Sequence, residues 1–129
     1  MNLADRIIAL QYVFPFSGLR EGELVALAEV CGVRNFEPGE IVLRPEVLLK
    51  RLLIRIEGSL EDRQGKSAGD LLGIQSLLFD RAPDREILAG KSGARCLLLD
   101  KGHFFRTMYE LPEIAQGIVA LQPKQEVRT

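Results

Sequence analysis

Val33-Arg34-Asn35-Phe36-Glu37-Pro38-Gly39-Glu40-Ile41-Val42-Leu43 is the stretch on which the fold turns, because the chain changes its hydrophobic period there. Val33 to Phe36 alternates, Glu37-Pro38-Gly39-Glu40 is a tight corner, and Ile41-Val42-Leu43 is a short β-branched run. The prediction is a strand, a corner and a second strand. Upstream the period is helical. Leu24, Leu27, Ala28 and Cys31 repeat at i, i+3, i+4 and i+7, and Leu3, Ile7, Ile8 and Leu10 recur at similar spacing, with Pro15, Ser17 and Gly18 breaking the chain between the two sets.

Downstream the chain stays β. Leu52, Ile54 and Ile56 alternate with Leu53, Arg55 and Glu57 up to Gly58, with Leu53 the imperfect position of a half-buried strand. Gln64-Gly65-Lys66 should turn the chain back toward Leu71-Leu72. Ile87-Leu88-Ala89 and Cys96-Leu97-Leu98-Leu99 read as two further strands separated by Gly90 and Gly93. Asp100 can cap a helix beginning near Lys101, with Phe104, Met108 and Leu111 on one face. Pro112 interrupts that helix, and Glu113 to Gln122 supplies a last one striped by Ile114, Ile118 and Leu121. The expected fold is mainly β with flanking helices: an antiparallel double-stranded β-helix, or jelly roll, over residues 1–122, followed by a polar tail at 123–129.

The chain of 129 residues is one domain's worth, with 47% hydrophobic and 27% charged residues. Its 17 basic and 18 acidic residues are scattered and give a formal charge of −1, so no block stands ready to neutralise a row of phosphates. A nucleic-acid interface is not expected. No window approaches a membrane span, and the two cysteines, Cys31 and Cys96, sit on apolar patterns without disulfide or metal-ligand spacing. The expected setting is cytoplasmic, either for the chain alone or for a domain of a larger protein.

Catalytic constellations are missing from the pattern. A metal site on a small β-barrel needs several imidazoles, and the chain has only His103, at the start of a predicted helix. Gly65-Lys66-Ser67 has the tail of a phosphate loop but Leu60 where its first glycine belongs, so a hairpin turn is the better reading. Glu61 and Asp62 are adjacent, which on a strand points them to opposite faces. No enzyme, metal or cofactor is expected.

The order of features resembles the cyclic nucleotide-binding domain. The resemblance runs through Phe14-Pro15-Phe16-Ser17-Gly18-Leu19, the Phe36-to-Glu40 corner, Gly58, Gly69-Asp70-Leu71-Leu72-Gly73, Ser76-Leu77-Leu78-Phe79, Ala89, Leu97-Leu98-Leu99-Asp100, Phe104-Phe105 and Leu111-Pro112-Glu113. It spans roughly Leu3 to Leu121, and order and spacing carry it rather than any single piece. It implies a β-roll of about eight strands with N-terminal helices and a C-terminal hinge and lid pair. It also implies a phosphate-binding cassette, made of a short helix after a Gly-Glu pair and then an Arg-Ala pair before a strand. In that cassette amides and a guanidinium fork grip the cyclic phosphate, and the glutamate accepts from the ribose hydroxyl.

The cassette positions here are Gly73, Ile74, Arg81, Pro83, Asp84 and Arg85. Gly73 matches, but Ile74 stands where the glutamate belongs and cannot accept a hydrogen bond. Pro83 falls on the arginine position without a gap, and Asp84 falls there if Pro83 matches the family's preceding proline. Either way the cation is missing, and a carboxylate there repels a phosphate. Arg44-Pro45-Glu46-Val47-Leu48-Leu49 is more apolar than the loop it replaces, so Leu48 and Leu49 either fill the space of a base or meet a partner.

The expectation is a regulatory module that does not bind cyclic AMP or cyclic GMP in the usual way and acts as a scaffold or interaction domain for a protein partner or parent-chain effector. The alternative is a sensor binding a cyclic nucleotide or another small ligand through a rearranged cassette anchored by Arg81 or Arg85. In the plainer reading Arg81, Asp84, Arg85 and Glu86 pair among themselves in a solvated loop. Too little chain follows Pro123 for an output domain, so a free-standing partner protein or a piece of a longer chain is expected, as a monomer or weak dimer.

Overall fold

A computed structural model describes residues 1–121; the expected polar tail and Gln122 lie outside the described residues. Two helices come first, α1 (Leu3–Leu10) and α2 (Glu21–Val30), followed by strands β1 (Gly32–Phe36), β2 (Ile41–Leu43) and β3 (Arg51–Glu61). Then come β4 (Leu71–Leu72), the short helix α3 (Ile74–Phe79), the long strand β5 (Ile87–Asp100), and helices α4 (Lys101–Glu110) and α5 (Pro112–Leu121). All strand pairings are antiparallel, in the order β1-β5-β3-β4, with β2 also against β5.

Among the described residues five strands stand where about eight are expected, because β3 and β5 each run through a bend that sequence reads as a break. The expected pair of strands around Gly90 and Gly93 is the single β5. Gly58 and Gly93 sit side by side at positive φ, 72° and 73°. A Cβ on Gly58 would collide with the carbonyl oxygen of Gly93, so glycine is required where the two strands cross closely while they bend. The register of β3 on β5 slips between Arg55 and Glu57 and again between Gly58 and Leu60, which curls the sheet without ending either strand.

The curled sheet has two apolar faces, and this explains the odd position of Leu53. Leu52, Ile54, Leu97 and Leu99 point to a core shared with Leu10, Phe16, Leu24, Phe104 and Ile118 from the helices. Leu53, Leu60, Ile87 and Cys96 point to the inside of the roll with Phe36, Leu43 and Leu72. A strand buried on both sides does not alternate.

The helix boundaries follow local chemistry. Asn2 and Asp5 form a reciprocal capping box on α1, and Asp100 Oδ1 accepts from the His103 amide at 2.9 Å to start α4. Pro112 opens α5 instead of merely interrupting its predecessor, since its missing amide proton is one the first turn does not need. Among the described residues no helix is long and apolar enough to cross a membrane.

Candidate functional site

Between the inside of the roll and the ends of the flanking segments lies a cleft of about 790 Å³. All six cassette positions, Gly73, Ile74, Arg81, Pro83, Asp84 and Arg85, line it. Its apolar walls come from Leu43, Leu49, Leu71 and Leu72, and Phe14 and Leu121 stand at its edge. Leu121 belongs to the Ile114–Ile118 stripe of α5, whose first two members are buried in the helix-side core while it remains exposed. Leu49 lines the cleft. Leu48 does not line the cleft, and it is exposed beside Val47.

Gly73 is at φ 106°, and a Cβ there would lie 2.7 Å from the carbonyl oxygen of Arg51, so the turn into α3 admits only glycine. The next residue, Ile74, is buried against the helix-side core. At its other end α3 is closed by Asp80 in a left-handed conformation, with the Asp80 amide donating to the Ser76 carbonyl and the Arg81 amide to the Gln75 carbonyl. The buried Ser76 hydroxyl donates to the Arg81 carbonyl at 2.8 Å, which latches the loop to the helix. The Pro83 carbonyl accepts from the Glu46 amide at 3.0 Å and ties the same loop to the 44–50 segment.

The charges decide what the cleft can hold. The Arg85 guanidinium meets the Asp62 carboxylate at 2.8 Å, with side-chain exposures of 44% and 9%. Asp62 also accepts from the Lys66 and Gln64 amides, both at 2.9 Å, inside the hairpin turn after β3. The Lys66 amide, then that of Gln64, and the Arg85 charge hold its carboxyl below the usual carboxylate range against the opposing effect of burial. Glu86 pairs with Arg63 of the same hairpin. The cassette loop is therefore strapped across to the 62–66 hairpin, and its charges are not paired among themselves as the plainer reading expected.

Arg81 lies over the Phe79 ring, 5.5 Å from its centroid, and Asp84 is exposed; neither forms an ion pair among the described residues. Asp70, also on the cleft, accepts from Arg55 Nε at 3.0 Å. Arg85 is paired with Asp62 and Asp70 with Arg55, which leaves Arg81 and Asp84 as the charged lining residues without an ion pair among the described residues.

The other candidates of the sequence settle into structure. Cys31 and Cys96 are buried free thiols, pushed up by burial to about 12 and about 11. His103 Nδ1 lies 3.0 Å from both Asp100 oxygens at the helix cap. Gly65 sits in the hairpin turn that Asp62 closes. Among the described residues no cluster could hold a metal ion. Asp62 is the functional neighbour that sequence missed, since the partner of Arg85 lies 23 positions upstream with no local signal.

No family model matches the sequence, and no curated protein matches it. Solved structures do share its fold. A triple mutant of the regulatory subunit of a cAMP-independent protein kinase A from Trypanosoma brucei, with cAMP in its A site, superposes with a TM-score of 0.73 at 23% identity, covering 94% of this chain and 48% of that one. The regulatory domain of Toxoplasma gondii protein kinase A with cAMP gives 0.73 at 18% identity over 93% and 50%. The guanosine-bound regulatory subunit of a cAMP-independent protein kinase A from Trypanosoma cruzi gives 0.72 at 21% identity over 96% and 48%. The fold is that of the cyclic nucleotide-binding domain, as the resemblance implied, and this chain spans about half the length of these relatives.

Proposed function

We propose that residues 1–122 make up a cytoplasmic regulatory module that does not take cyclic AMP or cyclic GMP in the usual way and serves as a scaffold or interaction domain for a partner or parent-chain effector, without catalytic activity of its own. One observation carries this reading: Pro83 or Asp84 holds the place of the cassette arginine, and of the two arginines that line the cleft Arg85 is bound to the nearly buried Asp62 while Arg81 lies over the Phe79 ring. Ile74 adds to it, because a buried hydrocarbon cannot accept from a ribose hydroxyl. The fold neighbours act in regulatory subunits, which supports the regulatory part of the proposal.

A second reading draws on the same walls. An apolar cleft without a cationic fork suits an uncharged nucleoside better than a nucleotide, and one neighbour is bound to guanosine. Calorimetric titration with cyclic AMP, cyclic GMP, guanosine and adenosine separates the possibilities. Silence from the cyclic nucleotides is the expected result, and Arg85→Ala should leave that silence unchanged. Micromolar heat from either cyclic nucleotide, lost in Arg85→Ala, would establish the rearranged sensor instead, and heat from a nucleoside alone would establish the second reading.

A further inference from the structure

Leu43 and Leu49, which line the cleft, also border a second hollow. Two adjoining pockets of about 300 and 440 Å³ share Arg34, Val42, Leu43 and Leu49. The floor is apolar: Phe36 and Leu53 are buried members of the inner core, and Val42 and Leu98 pack against it. The rim is cationic. Arg34, Lys50 and Arg51 border the first pocket and Arg44 the second, with Glu40 the one carboxylate among the lining residues.

The strand pattern explains why arginines stand at the mouth of an apolar roll. Arg34 is the register partner of Cys96, whose side chain points inward, and Arg51 precedes the inward Leu53 by two residues on β3. Both guanidiniums therefore belong to the inner face. Arg34 lies over the Phe36 ring, 4.5 Å from its centroid, and meets Glu40 at 3.3 Å. Among the described residues Arg44, Lys50 and Arg51 form no ion pair. Four cations against Glu40 in the lining, and Asp100 across the ladder from Arg51, leave a positive surplus around hydrocarbon that water wets poorly.

That combination selects its ligand by chemistry. We infer that this hollow binds a free anionic amphiphile, a small molecule with a carboxylate or phosphate on an apolar body. The apolar part enters between β1, β2 and the start of β3, and the anionic head meets Arg34, Lys50 and Arg51. The hollow is recessed between strands, so its apolar atoms suit an inserted chain rather than the plane of a bilayer, and its size is that of small-ligand pockets, about 300 Å³ upward. This site does not depend on what the cassette cleft binds.

Titration with decanoate below its micelle concentration, followed by calorimetry and by side-chain NMR, tests the inference. Decanoate should bind saturably and shift Phe36, Val42 and Leu98, and decyl phosphate should do the same. Arg34→Gln and Arg51→Gln, both changes of exposed side chains, should each weaken binding about tenfold, as expected for a charge-assisted hydrogen bond. Decanol should bind far more weakly, and added salt should weaken decanoate in the unsubstituted protein. Equal binding of decanol and decanoate, shifts confined to Ala68 and Leu71 of the cleft, or sedimentation with phosphatidylserine vesicles without decanoate binding would each overturn it.

Discussion

At the scale of single residues, the pairing of Asp62 with Arg85 engages one of the two arginines that line the cleft. Asp62 is nearly out of solvent, and its ionised form is favoured by the Lys66 and Gln64 amides and by Arg85. Its folded pKa lies below the unfolded value near 3.8, so the stability it contributes is present above that value and is lost as pH falls through the folded one. Asp62→Asn should therefore lower the thermal midpoint at pH 7, and the gap from the parent should close as the pH drops below about 4. Calorimetric scans from pH 7 to 3 check this; a gap that stays constant over the range would show that the carboxylate charge is not what holds the strap. Sequence offered Arg85 as a free anchor because nothing in a one-dimensional pattern links it to a residue 23 positions away. Ile74 and Pro83 are legible as residues that neither accept from a hydroxyl nor carry a charge, since that is a property of their own side chains.

Elements were legible where one face is solvated and obscure where both are buried. The stripes of α1, α2 and α4 and the corner before β2 carry their period openly, and the structure has them in place. The long strands do not: Gly90 and Gly93 look like punctuation between two strands, whereas they permit a close crossing inside the single β5. A Cβ on Gly93 would lie 2.5 Å from the carbonyl oxygen of Phe36, and its φ of 73° is left-handed. Gly93→Ala should accordingly cost about 3 kcal/mol, combining left-handed strain with displacement of β1. Denaturant unfolding measures it, and hydrogen exchange should show the loss first at the β1–β5 ladder from Val33 to Phe36. A change below about 0.5 kcal/mol, the range of ordinary surface substitutions, would mean that the bend accommodates a side chain and that glycine is incidental there.

For the whole molecule the question is whether a ligand could still move it. A ligand shifts an equilibrium between two arrangements only by its difference in affinity for them, and on the proposed reading, in which the cleft does not hold the phosphate, cyclic nucleotides have none to offer. If the missing cation is the reason, supplying one should restore binding. Pro83→Arg with Asp84→Ala writes the Arg-Ala pair back without touching the Asp62–Arg85 strap, and the Pro83 carbonyl that accepts from Glu46 survives the change. A charge-assisted fork contributes about 1.5–3 kcal/mol, so cyclic AMP affinity should rise by about ten- to a hundredfold, from no measurable heat to a measurable one. Ile74 remains in that variant with its side chain in the helix-side core, so no acceptor reaches the ribose. Cyclic AMP and its 2′-deoxy analogue should then bind equally well, whereas a cassette with the glutamate in place would prefer the ribose form. A double variant that folds normally yet stays silent to both would move the cause from the absent charge to the loop's geometry, held by Ser76 and Glu46.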